Sequence, residues 1–92
     1  MCEIIFTPTF SGGLGTVDIL INGNTTLSFN SNTPQSIVLP SGNHDFVISG
    51  AASPGPGGGL QIDIGGDAIT DTPINYGAGV ILPDPHNMIV DC

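Results

Sequence analysis

The chain has 92 residues, eight Asp and Glu, no Lys or Arg, and a formal net charge of −8 at pH 7. That length supports one domain with a single two-layer core, but not a buried cleft between domains. With no basic side chain to neutralise phosphate, nucleic acid is a poor partner and adhesion to anionic lipid headgroups is disfavoured. Cations, basic or neutral protein surfaces, neutral glycans and copies of the chain remain.

Residues 3–7, EIIFT, read as a first short strand with Ile4 and Phe6 on one face and Ile5 on the other. Pro8 ends it, and Ser11-Gly12-Gly13 forms a loose connection. Val17, Ile19 and Ile21 then alternate with polar residues, the period-2 signature of a half-buried strand. Asn22-Gly23-Asn24 supplies the positive φ that a tight hairpin requires. Leu27 with Phe29, Ile37 with Leu39, and Phe46 with Ile48 mark three more strands, separated by Asn32-Thr33-Pro34 and by Pro40–Asn43. Ala51–Gly59, with two prolines and four glycines, is a loop.

Leu60, Ile62 and Ile64 alternate in a sixth strand, which Gly65-Gly66-Asp67 turns. Ala68-Ile69-Thr70 is a brief strand, and Ile74–Leu82 is interrupted by Gly77 and Gly79, which predicts a bulge or close backbone approach there. Asp84-Pro85-His86-Asn87 reads as a turn before a terminal strand at Met88-Ile89-Val90. No stretch has helical periodicity. The expected fold is all-β, a small antiparallel β-sandwich of about seven to eight short strands, with a small barrel as the alternative. The alternating apolar residues from Val17 to Ile64 would fill its core. Two strands, around Ile4-Ile5-Phe6 and Val80-Ile81-Leu82, are apolar on both faces, and Ile5 and Ile81 become the expected interface positions.

Three pieces of the 15–50 segment, Ile21-Asn22-Gly23, Thr33-Pro34 and Pro40-Ser41-Gly42, stand in an order that resembles the PEGA-type surface modules of bacterial envelope proteins. The Pro-Glu-Gly-Ala signature itself is absent. The resemblance implies a non-catalytic β-sandwich module in an envelope or extracellular setting, and carries over no functional residue.

Asp63, Asp67 and Asp71 follow a Gly-Gly-Gly run and form the candidate calcium site, since calcium takes six to eight oxygen ligands, often from a loop. The competing reading places Asp63 on a solvent face and the other two in turns. His44 and His86 are the only imidazoles; nothing in their spacing joins them with Cys2 and Cys92 into a zinc site. Gly-x-Ser-x-Gly is absent, and Gly55–Gly59 lacks the Lys of a phosphate loop. With no Trp and one Tyr, the aromatic platform of a glycan binder is missing. Cys2 and Cys92 are open to three readings: free thiols, one disulfide joining the first and last strands, or a bridge between subunits.

No apolar run approaches the ~20 residues of a membrane-spanning helix, so no membrane insertion is expected. No signal peptide is visible at Met1-Cys2-Glu3, which fits either a cytoplasmic chain or a mature form whose leader was removed; a polar but mostly uncharged surface favours an extracellular, cell-surface or virion-surface setting. The expected function is a non-enzymatic structural or assembly protein, a homo-oligomer or one that pairs with a partner protein. The alternative is a monomeric recognition module that binds a glycan or peptide through the Ala51–Gly59, Asp63–Asp71 and Asp84–Asn87 loops, with calcium as its cofactor.

Overall fold

A computed structural model describes residues 1–92, and nine antiparallel strands make up its regular structure. They are β1 (Cys2–Ser11), β2 (Thr16–Ile21), β3 (Thr25–Phe29), β4 (Gln35–Leu39), β5 (Gly42–Ala51), β6 (Gly59–Gly66), β7 (Ala68–Ile69), β8 (Ile74–Gly77) and β9 (Val80–Val90). One sheet has the order β4-β1-β6-β8 and the other β3-β2-β5-β9-β7. Every connection except the β2–β3 hairpin carries the chain from one sheet to the other. The two sheets pack as a β-sandwich.

Alternation decides which face each strand buries. Cys2, Ile4, Phe6 and Phe10 of β1 and Leu60, Ile62 and Ile64 of β6 face Val17, Ile19 and Ile21 of β2 and Phe46 and Ile48 of β5 across one apolar core. Leu27, Ile37 and Leu39, expected inside, are only partly buried because they sit on the edge strands β3 and β4. Phe6 and Phe46 meet edge to face across the sheets, with ring centroids 6.0 Å apart. The β2–β3 turn takes the expected form: Asn22 and Gly23 have φ of 54° and 72°, and the Asn24 amide donates to the Ile21 carbonyl at 3.1 Å. Cys2 and Cys92 form a disulfide with a Cα–Cα distance of 5.7 Å. It ties β1 of the first sheet to the residue that follows β9 in the second by two positions.

Three local readings need correction. Pro8 does not end β1 but lies buried within it. Pairing with β4 stops at Phe6, so no neighbour stands on that side to miss the absent N–H. The Asp84–Asn87 segment is not a turn: it lies inside β9, paired with Phe46, Val47 and Ile48 through His86, Pro85 and Asp84. The bulge is not at Gly77 or Gly79. It falls where Leu82 and Pro83 together stand opposite Ser49, between the Ile48–Asp84 and Gly50–Ile81 pairs.

That bulge has a direct effect on β9. It reverses the phase of the alternation, so Ile81 before it and Asp84, His86, Met88 and Val90 after it all face inward. Gly50, at the edge of the bulge, has a φ of 138° and the Thr16 carbonyl of β2 where a Cβ would stand, so only glycine fits there.

Strands that outrun their neighbours are blocked against further pairing. Beyond β4, Pro8 has no N–H and the Phe10 amide donates to Asn32 Oδ1 at 2.8 Å. Beyond β8, the Ile64 amide donates to Thr72 Oγ1 at 2.9 Å. Beyond β7, Thr70 Oγ1 donates to the Asn87 carbonyl at 2.9 Å, and Pro83 and Pro85 follow on the open length of β9. Capped amides and prolines are the means by which β-proteins refuse strand addition.

Candidate functional site

The inward turn of β9 after its bulge brings two polar side chains to the open seam between the sheets. Asp84 is opposite Ile48, and His86 is opposite Phe46. The His86 imidazole stacks on the Phe46 ring with centroids 5.3 Å apart and planes 18° apart. From the other sheet, Tyr76 of β8 reaches across. Its hydroxyl donates to Asp84 Oδ2 at 2.7 Å, and His86 Nε2 lies 2.7 Å from the same oxygen. The seam is therefore closed by a polar latch where β-sandwiches ordinarily place apolar residues.

The two donors hold the Asp84 carboxyl below the usual carboxylate range, the Tyr76 hydroxyl first and His86 second. Burial, reinforced by the bond to Asp84, pushes the Tyr76 phenol above the ordinary tyrosine range. Tyr76 is thus a fixed neutral donor and Asp84 a fixed anion. The Asp84 side chain is 42% exposed and His86 24%, so the carboxylate still looks out to solvent.

Beside it runs a shallow groove of about 380 Å³ lined by Tyr76, Gly77, Val80, Leu82 and Asp84 among others. Val80 and Leu82 are 78% and 75% exposed. These are the outward partners of Ile81, which is 5% exposed and belongs to the core. Ile81, expected at an interface, therefore faces the core, and its neighbours Val80 and Leu82 are the outward residues. Ile5 does face outward, half-buried between Ser36 and Gly65 on the outer side of the four-stranded sheet.

The three candidate calcium ligands do not gather. Asp63 lies on β6 beside Gln61, Asp71 is exposed after β7, and Asp67 accepts the Glu3 amide through Oδ2 at 3.1 Å. The one group of three or more His, Cys, Asp or Glu with ligand atoms close together is Cys2, Asp67 and Cys92. The histidines are engaged elsewhere and apart. His44 Nε2 donates to the Pro40 carbonyl and its Nδ1 accepts from Asn22 Nδ2, both at 2.8 Å, which pins the β4–β5 link to the β2–β3 turn.

Sequence reasoning missed the Tyr76–Asp84–His86 latch because the Asp-Pro-His-Asn string looked like a turn. The only available signal was a three-residue one, the paired Asp84 and His86 at i and i+2, which share a face once the segment is a strand. Comparison with protein-family models, with curated proteins and with solved structures found no match.

Proposed function

We propose that the chain is a non-enzymatic structural module that docks a basic partner protein, side chain to side chain, at the β8–β9 end of the sandwich. The observation that carries this reading is the exposure of Val80 and Leu82 on a groove rimmed by the Asp84 carboxylate, in a chain with no Lys or Arg. Apolar residues in such positions favour contact, and the net charge of −8 selects a partner of opposite sign over a second copy. Along the open length of β9 the prolines and the Thr70 cap disfavour strand addition, which leaves side chains as the means of contact at this end.

The latch supports a binding role over a chemical one. The one hydrogen bond of the His86 ring goes to Asp84, and the hydroxyl that joins them, that of Tyr76, is held protonated by burial and by its bond to Asp84. The Cys2–Cys92 disulfide suits an oxidising setting, and with the resemblance to PEGA-type modules it supports an extracellular or surface location.

The test uses a synthetic peptide of alternating Lys and Leu as the probe, with a Lys-Gly peptide of equal charge as control. Light scattering on a size-exclusion column should show a monomer at pH 7, and calorimetry should show the Lys-Leu peptide binding more tightly than the control. Val80→Ser with Leu82→Ser should weaken it by about tenfold or more, since each buried apolar side chain contributes about 1.5–3 kcal/mol. Equal binding of both peptides, or no loss in the double variant, would overturn the reading. A dimer that dissolves in the double variant would give the groove to a second copy instead.

A further inference from the structure

The second place where side chains converge lies at the opposite end of β9, around the disulfide. Cys2 Sγ, Cys92 Sγ and a carboxylate oxygen of Asp67 all lie within 4.8 Å of one another. Ser41 Oγ is 3.5 Å from Cys2 Sγ. Asp67 is fixed there by backbone on three counts. Its Oδ2 accepts the Glu3 amide at 3.1 Å, its own amide donates to the Glu3 carbonyl at 2.9 Å, and its carbonyl accepts the Asp91 amide at 3.0 Å. Those bonds join the chain at Glu3 and Asp91, the residues next to the two cysteines. The carboxylate is thus held at the disulfide by the same backbone that positions the sulfurs.

A salt bridge does not explain this placement, because the chain has no Lys or Arg to meet Asp67. Two sulfurs and one carboxylate oxygen are, by contrast, a donor set for zinc, which binds thiolate at ~2.3 Å and carboxylate at ~2.0–2.2 Å and completes four ligands with water or a hydroxyl. Buried Cys2 and exposed Cys92 leave the site open on one side.

We propose that the Cys2–Cys92 pair is the closed form of a redox-gated site for a thiophilic divalent cation, with Asp67 as the third ligand. A dithiol reductant opens it. The reductant's two thiols pass two electrons and two protons to the disulfide, giving two cysteine thiols and an oxidised, disulfide-bonded reductant. Zinc then displaces both thiol protons to bind two thiolates and the Asp67 carboxylate. The ion carries two positive charges to three anionic ligands, and the Ser41 hydroxyl or a water takes the remaining position. In either state the same two chain ends are joined, first by a covalent bond and then by a metal clip.

The site is read with cobalt(II) and zinc on the full chain, oxidised and reduced under argon with excess metal removed by gel filtration. The reduced chain should retain one metal per monomer and show thiolate-to-cobalt charge-transfer absorption in the near ultraviolet, and zinc should raise its melting temperature towards that of the oxidised chain. The oxidised chain should retain none. Asp67→Asn keeps an oxygen to accept the Glu3 amide but loses the charge, so it should fold with the wild-type circular dichroism and bind cobalt about tenfold or more weakly, at least the loss that outer partners of a metal cause. Three results would overturn the proposal: no metal retained by the reduced chain, equal affinity in Asp67→Asn, or metal bound with no rise in melting temperature, as an unfolded dithiol would bind it.

Discussion

Strand β9 is tied to the opposite sheet twice, and the two ties work by different physics. Near its C-terminal end the disulfide joins Cys92 to Cys2 of β1, a covalent link across 90 residues of sequence. Near its middle, Asp84 Oδ2 accepts the Tyr76 hydroxyl of β8 at 2.7 Å, and His86 of β9 itself lies 2.7 Å from the same oxygen. The first tie acts mainly on the unfolded chain by restricting its conformations, and responds to reductant. The second acts on the folded chain, responds to pH, and stands beside the apolar groove. A small sandwich with no Lys or Arg has no salt bridge except His86 with Asp84, so both ties carry more than they would in an ordinary chain.

The largest difference should come from opening the covalent tie. Closing so long a loop contributes roughly 4–5 kcal/mol in the loop-entropy account. Guanidinium unfolding with reductant should therefore show a midpoint far below that of the oxidised chain, with the latch still formed in the surviving folded fraction. An unchanged midpoint would mean that the unfolded chain is already compact enough to hold its ends together.

Next comes the ring beneath the latch. Phe46 is fully buried, packs on Phe6 and supports His86, so Phe46→Ala should cost about 3–5 kcal/mol, the usual range for a core Phe truncation. Phe46→Leu keeps the core apolar but removes the stacking surface. If the latch depends on that surface, the Leu variant should lose the pH response described below while retaining most of its stability.

Tyr76→Phe tests the latch alone. A hydrogen bond to a charged group contributes about 1.5–3 kcal/mol when buried, and the 42% exposure of Asp84 reduces this to about 1 kcal/mol. The pH dependence has two sides. Asp84 has a depressed pKa in the folded state, so its contribution is present above the ordinary carboxylate value of about 4 and is lost as pH falls through the folded value. Tyr76 has a raised pKa, so its contribution is complete below about pH 10 and fades as pH rises from there towards the folded value. Urea midpoints measured from pH 2 to 11 should fall at both ends in the wild type. The alkaline fall should vanish in Tyr76→Phe, and the acid fall should shrink; an identical pair of curves would remove the latch from the stability of the fold.

The contrast between the two ties also marks what the sequence makes legible. Strict alternation from Val17 to Ile64 placed nine of the expected core residues correctly, eight of them on β2, β5 and β6, which lie inside their sheets, while Leu27, Ile37 and Leu39 on the edge strands are only partly buried. The region after Gly65 resisted reading for a physical reason. Alternation carries information only while phase is kept, and the bulge opposite Ser49 shifts phase between Ile81 and Asp84. Val80-Ile81-Leu82 then looks apolar on both faces, and Asp-Pro-His-Asn looks like a turn. Pro83 and Pro85 added to that impression, although on a strand with one open side a missing N–H costs nothing there. The disulfide was one of three readings of Cys2 and Cys92, and long-range pairing alone decides among them. Asp67 could not be joined to them from spacing, since its link to Glu3 spans 64 residues.

The smallest expected effect separates side-chain from backbone strain at the far turn. Asn22 has a φ of 54°, a region that costs an ordinary L-residue roughly 1–2 kcal/mol and Asn less. Its side chain also joins two elements: Oδ1 accepts the Asp45 amide at 3.2 Å and Nδ2 donates to His44 Nδ1 at 2.8 Å. Asn22→Gly removes both bonds but relieves the backbone, whereas Asn22→Ala removes the bonds and adds strain. The difference between the two variants isolates the strain, and should amount to about 1 kcal/mol in favour of Gly, seen as a higher melting temperature. The bonds themselves are exposed, so Asn22→Gly should lie within about 1 kcal/mol of the wild type. A larger loss in the Gly variant would mean that the Asn22–His44–Pro40 chain of bonds, not the positive φ, sets the register of the hairpin against β5.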